Sequence, residues 1–264
     1  MSNATLEGLL RRDRIVVGTA LALLTALAWV YLVEMARHMA EMDVHARMGM
    51  AMPQGEPWRI RDVAMLFAMW SVMMVGMMLP SAAPMILVFT TVNRRREAQQ
   101  RPLAHTGAFV LGYVIVWTGY SAVAALAQWG LHSVALLSPM MVSTSPYLGG
   151  GLLLAAGIFQ WTPLKYACLT TCRSPLSFLI TQWREGARGA LVMGLRHGAY
   201  CVGCCWALMA LLFVAGVMNL VWVAALAVAV LLEKVVPRGD LVGRLAGVVL
   251  VAAGVVLIAR GVVG

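Results

Sequence analysis

The cysteines are the residues whose types and spacing point most directly to chemistry. All five fall between residues 168 and 205, and three of them follow a histidine at i+4, i+7 and i+8. On an α-helix those four side chains lie within about 100° of one face, and the other two cysteines are spaced i, i+4. Thiolates with an imidazole suit Cu(I) or Zn(II), whereas a lone cysteine in an apolar helix is usually a packing residue. The predicted metal ligands are Cys168, Cys172, His197, Cys201, Cys204 and Cys205.

A ladder of methionines forms the second pattern. Met65, Met69, Met73 and Met77 follow one another at steps of four and therefore lie along one slowly drifting stripe of a helix. Neutral thioethers bind soft Cu(I) without burying a carboxylate in hydrocarbon. The last three are predicted ligands on a copper path. The alternative is that the methionines only pack against neighbouring helices, because their flexible side chains also fill gaps between helices.

A third pattern combines methionine with histidine just after the first apolar run. Thirteen of the nineteen methionines lie between residues 35 and 85. If the first helix continues past the membrane, the methionines and histidines of residues 35–45 share an arc of about 120°. Such a face predicts an arm that captures copper outside the membrane, although it could also pack against other helices or a partner protein. The predicted ligands of the arm are His38, Met42 and His45.

The sequence lacks the motifs of ATP-driven transport. It has no P-loop or glycine-rich nucleotide fingerprint, and no paired carboxylates arranged within the apolar runs as a proton relay. No catalytic residue is therefore assigned. We expect copper to move passively, to be driven by an energy source outside this chain, or to be transferred directly to another protein.

The composition identifies the environment in which these residues act. Of 264 residues, 61% are apolar and 12% charged, and the mean hydropathy is +0.83. These values exclude a soluble globular protein and predict an all-α protein whose main partner is the lipid bilayer. The net charge of +9 does not indicate a nucleic-acid partner, because the basic residues lie between apolar runs and form no single patch.

The apolar runs predict seven transmembrane helices. Fifteen of the twenty lysines and arginines fall on one side when the N-terminus is placed inside, so the positive-inside rule predicts the N-terminus inside and the C-terminus outside. The predicted spans are 15–36, 63–89, 107–129, 147–169, 190–216, 219–233 and 241–260.

The whole chain, 1–264, is predicted to form a single membrane domain. Its two longest connections are an extracytoplasmic Met/His loop, 37–62, and a cytoplasmic amphipathic segment, 170–189. The fifth and sixth runs are nearly continuous, so Gly216 and Asn219 are expected to supply a tight turn between them.

Two charged residues end the sixth apolar run. Glu233 and Lys234 are expected to pair with each other or to reach the membrane interface. A carboxylate at this position could also orient a metal ligand by accepting a hydrogen bond from it.

Several motifs together resemble a known family. They are residues 70–85 (WSVMMVGMMLPSAAPM), 159–175 (FQWTPLKYACLTTCRSP), 198–209 (GAYCVGCCWALM), 218–220 (MNL) and 233–237 (EKVVP). The chain resembles, over most of 60–240, the bacterial family of predicted metal-binding integral membrane proteins. The resemblance implies a multi-pass protein of the bacterial inner membrane with a metal site at the cysteines. Copper, rather than zinc, is inferred from the softness of the ligands.

Three functions compete at this stage. The first is copper handling, in which Cu(I) is captured by the arm, relayed along the methionines and held at the cysteines for delivery inward, to a copper chaperone or to a cuproenzyme. The second is thiol–disulfide exchange, although no C-x-x-C lies at a helix N-terminus, where thiolate is stabilised. The third is a structural subunit of a membrane enzyme complex, in which the sulfur atoms only pack.

Overall fold

The computed structural model describes residues 3–47, 60–96, 102–133 and 145–263. Within these ranges all the regular structure is helical, as the composition predicts. The helices are α1 (Asn3–Arg47), α2 (Ile60–Arg96), α3 (Pro102–Ser133), α4 (Pro146–Phe159), α5 (Pro163–Arg173), α6 (Pro175–Gln182), α7 (Gly186–Ala210), α8 (Leu212–Ala215), α9 (Leu220–Val235) and α10 (Gly239–Val263).

Within the described ranges, five helical segments are long and apolar enough to cross a membrane. They are Glu7–Ala40, Ile60–Arg96, Leu103–Ser133, Gly186–Ala215 and Gly239–Val262. Helices α4 and α5 pass the same test only as a pair, and the pair is bent by 64°. Helix α9 has 16 residues, fewer than the roughly 20 that a straight span requires. The predicted count of seven spans is therefore not confirmed.

The bend between α4 and α5 interrupts the apolar run that the sequence suggested as one helix. Pro163 occupies the first turn of α5, and the side chain of Thr162 caps that helix by accepting a hydrogen bond from the Lys165 amide at 3.4 Å. Proline at this position ends a preceding helix and begins a new one. The run 147–169 is thus two helices, and both cysteines of the first pair lie on the second helix.

Helix α2 lies at the centre of the bundle, in contact with α1, α3 and α9. It stays helical through Pro80 and Pro84. Its buried face carries most of the methionines of the ladder region, so these side chains form part of the protein core. The buried methionines of α2 are Met69, Met73, Met74, Met77, Met78 and Met85.

Helices α3 and α7 cross so closely that glycine is required. A Cβ atom on Gly112 of α3 would lie 2.8 Å from the amide nitrogen of Leu195 and closer still to the carbonyl oxygen of Leu191. Gly119, two turns further along α3, has nothing within 4 Å of the same position. The crossing therefore depends on the absence of a side chain at residue 112.

We expect Gly112→Ala to lower the free energy of unfolding by about 1–3 kcal/mol, the usual cost of overpacking. Gly119→Ala is the matched control, because it should be neutral or stabilise the helix by about 0.5–1 kcal/mol. Unfolding of the two variants in the same detergent checks the pair. Equal stability of both variants would contradict the close crossing.

Two further local predictions can be compared with the structure. Gly216 has a φ of +88° and the Asn219 side chain caps α9 by accepting from the Trp222 amide at 3.2 Å, so the predicted turn is confirmed. The segment 170–189 contains the short helix α6, with Phe178 buried and Ile180 exposed. One side of this helix packs into the protein core, and the other side exposes the apolar Leu176 and Ile180.

Candidate metal site

The cysteines of α7 form the centre of the site. Cys201, Cys204 and Cys205 are all buried, and the thiols of the last two donate to the carbonyl oxygen of Cys201 at 3.1 and 2.8 Å. The Cys205 thiol is within hydrogen-bond reach of the other two thiols. The i, i+3 and i+4 spacing alone brings these three together, because it repeats the turn of the helix.

Helix α5 adds a fourth thiol from a different part of the chain. Cys172 is buried and lies within hydrogen-bond reach of Cys204. We call Cys172, Cys201, Cys204 and Cys205 the thiol cluster. Cys168, one turn earlier on α5, is only partly buried and packs over Gly203, where an added Cβ would lie 2.8 Å from its sulfur. Cys168 therefore lies at the edge of the cluster.

The immediate neighbours of Cys201 include two residues that the sequence analysis did not assign to the site. The Tyr113 hydroxyl lies 3.1 Å from the Cys201 sulfur and the Lys234 ammonium 2.9 Å from it. The ammonium also donates to the Ser81 hydroxyl at 3.1 Å. A positive charge beside the sulfur compensates for an anionic thiolate held in apolar surroundings.

The expected pairing of Glu233 with Lys234 is wrong. Glu233 accepts instead from Lys165 at 2.7 Å, both side chains are almost fully buried, and Lys165 also donates to the Gln160 side chain. Adjacent residues point about 100° apart on a helix, so one faces the bend between α4 and α5 while the other faces Cys201. Neither side chain extends to the surface as an interfacial charge.

His197 is surrounded by aromatic rings. It lies one turn before Cys201, and its ring centroid is 6.0 Å from that of Phe109, 5.7 Å from Tyr113 and 5.6 Å from Phe178. Its Nδ1 atom is buried without a hydrogen-bond partner. The imidazole therefore has an unused nitrogen close to the cluster, but it is not brought into the thiol network.

The arrangement of the candidate ligands limits which metal ion the site can bind. Among the residues that the structure describes, no group of three or more His, Cys, Asp or Glu side chains is arranged so that it could hold a metal ion. Zn(II) in structural sites takes four converging ligands. Cu(I) can be held by as few as two soft sulfur atoms, and two neighbouring thiols of the cluster are enough to supply that number.

The methionine ladder ends near the cluster. Met69, Met73 and Met77 are buried along α2, while Met65 at the start of the helix is 59% exposed. At the other end, the carbonyl oxygen of Met78 accepts from the Tyr113 hydroxyl at 3.1 Å. That hydroxyl is also the neighbour of Cys201, so a single side chain joins the end of the ladder to the cluster.

The predicted Met/His arm is helical, because α1 continues to Arg47. His38 lines a cavity to which Met69 of the ladder also contributes. Met42 and His45 lie on α1, but their side chains fall outside the part of the chain that the structure describes. Residues 48–59 lie outside it as well.

A family model described as the copper chaperone PpoB2 matches residues 67–257. The matched range contains the thiol cluster, Tyr113, Lys234 and the three predicted ladder ligands, and it leaves out α1. No curated protein matches the chain, and no solved structure does. Because the match covers more than two thirds of the sequence, the chain belongs to the PpoB2 copper chaperone family.

Proposed function

We propose that the protein is a membrane copper carrier that receives Cu(I) along the methionine ladder and holds it at the thiol cluster for delivery. The observation that carries this proposal is the group of four neighbouring buried thiols, which the Tyr113 hydroxyl connects to the Met78 end of the buried methionine ladder. Thiolates bind Cu(I) more tightly than neutral thioethers do, so the ion is expected to move along the ladder toward the cysteines. His197 and Cys168 are secondary candidates at the edge of the site.

Copper is favoured over zinc for two reasons that do not depend on the family. The first reason is that the free thiols lie within hydrogen-bond reach of one another in pairs, while the residues described hold no preformed group of three ligands from His, Cys, Asp or Glu. The second reason is the thioether ladder, because methionine sulfur selects Cu(I) and contributes little to zinc sites. We therefore propose Cu(I) as the cargo, with a copper chaperone or a cuproenzyme as the acceptor.

The thiol cluster also allows thiol–disulfide exchange as a second function, because five free cysteines lie close to one another. Metal analysis of the purified protein distinguishes the two. We expect copper and little zinc after expression with both metals, and we expect the thiols to react fully with a thiol reagent in denaturant, without prior reduction, once copper is removed. Thiols that react only after reduction, in protein free of copper, would support the exchange function instead.

The proposed setting is a bacterial inner membrane with the N-terminus inside. The five long helical segments are an odd number of crossings, so they alone would place the C-terminus outside. The C-terminus is also outside if the bent pair α4–α5 and the short helix α9 both cross. It is inside if only one of them crosses. The distribution of the cations favours a crossing by both, because residues 95–101 and 180–188 and the N-terminus then share one side.

Reporter fusions test this topology. We expect fusions within residues 40–60 and at the C-terminus to report the outside, and fusions within 95–101 and 180–188 to report the inside. Fusions at residue 217 and residue 237 give the matched pair for α9, since they should report opposite sides. A C-terminal fusion that reports the inside would contradict the proposed orientation.

A further inference from the structure

A cavity of about 490 Å³ lies between the C-terminal half of α1 and the start of α2. Residues from three parts of the chain line it, the third being the turn before α9. In the proposed topology this end of the bundle lies outside the membrane. The lining consists of Tyr31, Glu34, Met35, His38, Met39, Asp62, Met65, Leu66, Met69 and Met218.

Half of the lining residues are methionines. Met35 and Met39 come from α1, Met65 and Met69 from α2, and Met218 from the turn. These residues lie far apart in the sequence and come together only in the fold. A patch that only had to be apolar could use any aliphatic side chain, whereas five thioethers around one cavity provide the soft ligands that select Cu(I).

The acidic residues of the cavity do not turn it into a site for a hard cation. The Glu34 carboxylate pairs with the Arg37 guanidinium at 3.1 Å, and the Asp62 carboxylate lies 3.9 Å from the Arg61 guanidinium. The carboxylates are thus balanced by neighbouring arginines. No three of the acidic, histidine and cysteine side chains that the structure describes are arranged as a metal site, here or elsewhere, so sulfur is the main ligand that the cavity offers.

We propose that this cavity is a second Cu(I) site, formed by thioethers with His38 as a further candidate ligand, and that it loads the methionine ladder. Met69 supports the second part, because it lines the cavity while being almost fully buried, and it is the first of the three predicted ladder ligands. Met65 is 59% exposed and can receive an ion from outside. The loading step depends on the proposed carrier function, but binding in the cavity does not.

The ligand test uses the full chain, purified in detergent with ¹³C-methyl methionine, and Ag(I) as a soft d¹⁰ substitute for Cu(I) that is not oxidised in air. In the Cys201→Ser/Cys205→Ser background, where the cluster cannot compete, we expect Ag(I) to shift the methyl signals of Met35, Met39 and Met65. Signals of Met193, a buried methionine of α7 outside the cavity, should not shift. An absence of shifts in the cavity methionines would overturn the second site and would show an apolar groove of the kind that a lipid chain fills.

A stoichiometry measurement separates this proposal from the carrier function. The parent protein should bind two Cu(I) ions, one tightly and one more weakly against a competing chelator. The Met35→Leu/Met39→Leu/Met65→Leu variant should lose only the weaker ion, and Met193→Leu should keep both. If the triple leucine variant still binds both ions, the cavity is not a site. If the tight ion is missing from the parent while the weaker one remains, the cavity proposal stands and the thiol cluster fails.

Discussion

Replacement of Cys201 and Cys205 by serine is expected to reduce the copper retained by the purified protein from about one equivalent per chain to almost none. Both thiols are buried, and Cys205 is within reach of Cys201 and Cys204. Serine has nearly the same size and can still donate to the carbonyl oxygen of Cys201, as the Cys205 thiol does at 2.8 Å. The double change therefore removes soft ligands with little effect on packing. Metal analysis after copper-replete expression measures the loss.

The matched control for this variant is Cys168→Ser. Cys168 is partly buried and packs over Gly203 at the edge of the cluster, so most of the copper should remain. Equal copper in the double variant and the parent would show that the thiols of α7 are packing residues. Loss of copper in Cys168→Ser alone would move the site toward α5.

The triple change Met69→Leu, Met73→Leu, Met77→Leu is expected to leave the protein folded but to remove most of the copper loading that starts from outside. All three side chains are buried. Each exchange for leucine nearly conserves volume and typically costs less than about 1.5 kcal/mol. Each exchange also deletes a thioether that Cu(I) would use on its way to the cysteines. Copper in the thiol cluster, measured in cells grown at limiting copper, gives the result.

A second triple variant provides the control for total methionine content. Met85, Met193 and Met209 are equally buried but are not among the predicted ladder ligands, so their replacement by leucine should leave loading unchanged. The purified ladder variant should also bind Cu(I) in detergent, since its cysteines are intact. Full loading of the ladder variant in cells would mean that the ladder is a packing face and that copper reaches the cysteines from the cytoplasmic side.

Features that repeat with the helical turn could be predicted from the sequence. The face formed by Cys201, Cys204 and Cys205 follows from spacing alone, as does the alignment of the methionines in one row on α2, because neither depends on which helices are neighbours. The continuation of α1 to Arg47 and the turn at Gly216 and Asn219 have equally local causes.

Features that depend on the arrangement of the helices could not be predicted in the same way. Lys234 is 33 residues from Cys201 and Tyr113 is 88 residues from it, so no periodicity connects them. The cavity beside Met65 likewise needs α1, α2 and a distant turn at once. The bend before α5 is a different case, because Thr162 followed by Pro163 is a local signal for a helix start that the continuous hydrophobicity of the run concealed.

The central claim is that the protein holds Cu(I) through sulfur at the thiol cluster. X-ray absorption at the copper K-edge of the copper-loaded protein tests it most directly, because the edge reports the oxidation state and the fine structure reports the ligand atoms. We expect a Cu(I) edge and a first shell of sulfur atoms in the parent, with the short thiolate distances absent from Cys201→Ser/Cys205→Ser after that variant has been reloaded with Cu(I) in detergent. A shell of nitrogen and oxygen atoms, or a shell that is the same in both proteins, would contradict the claim.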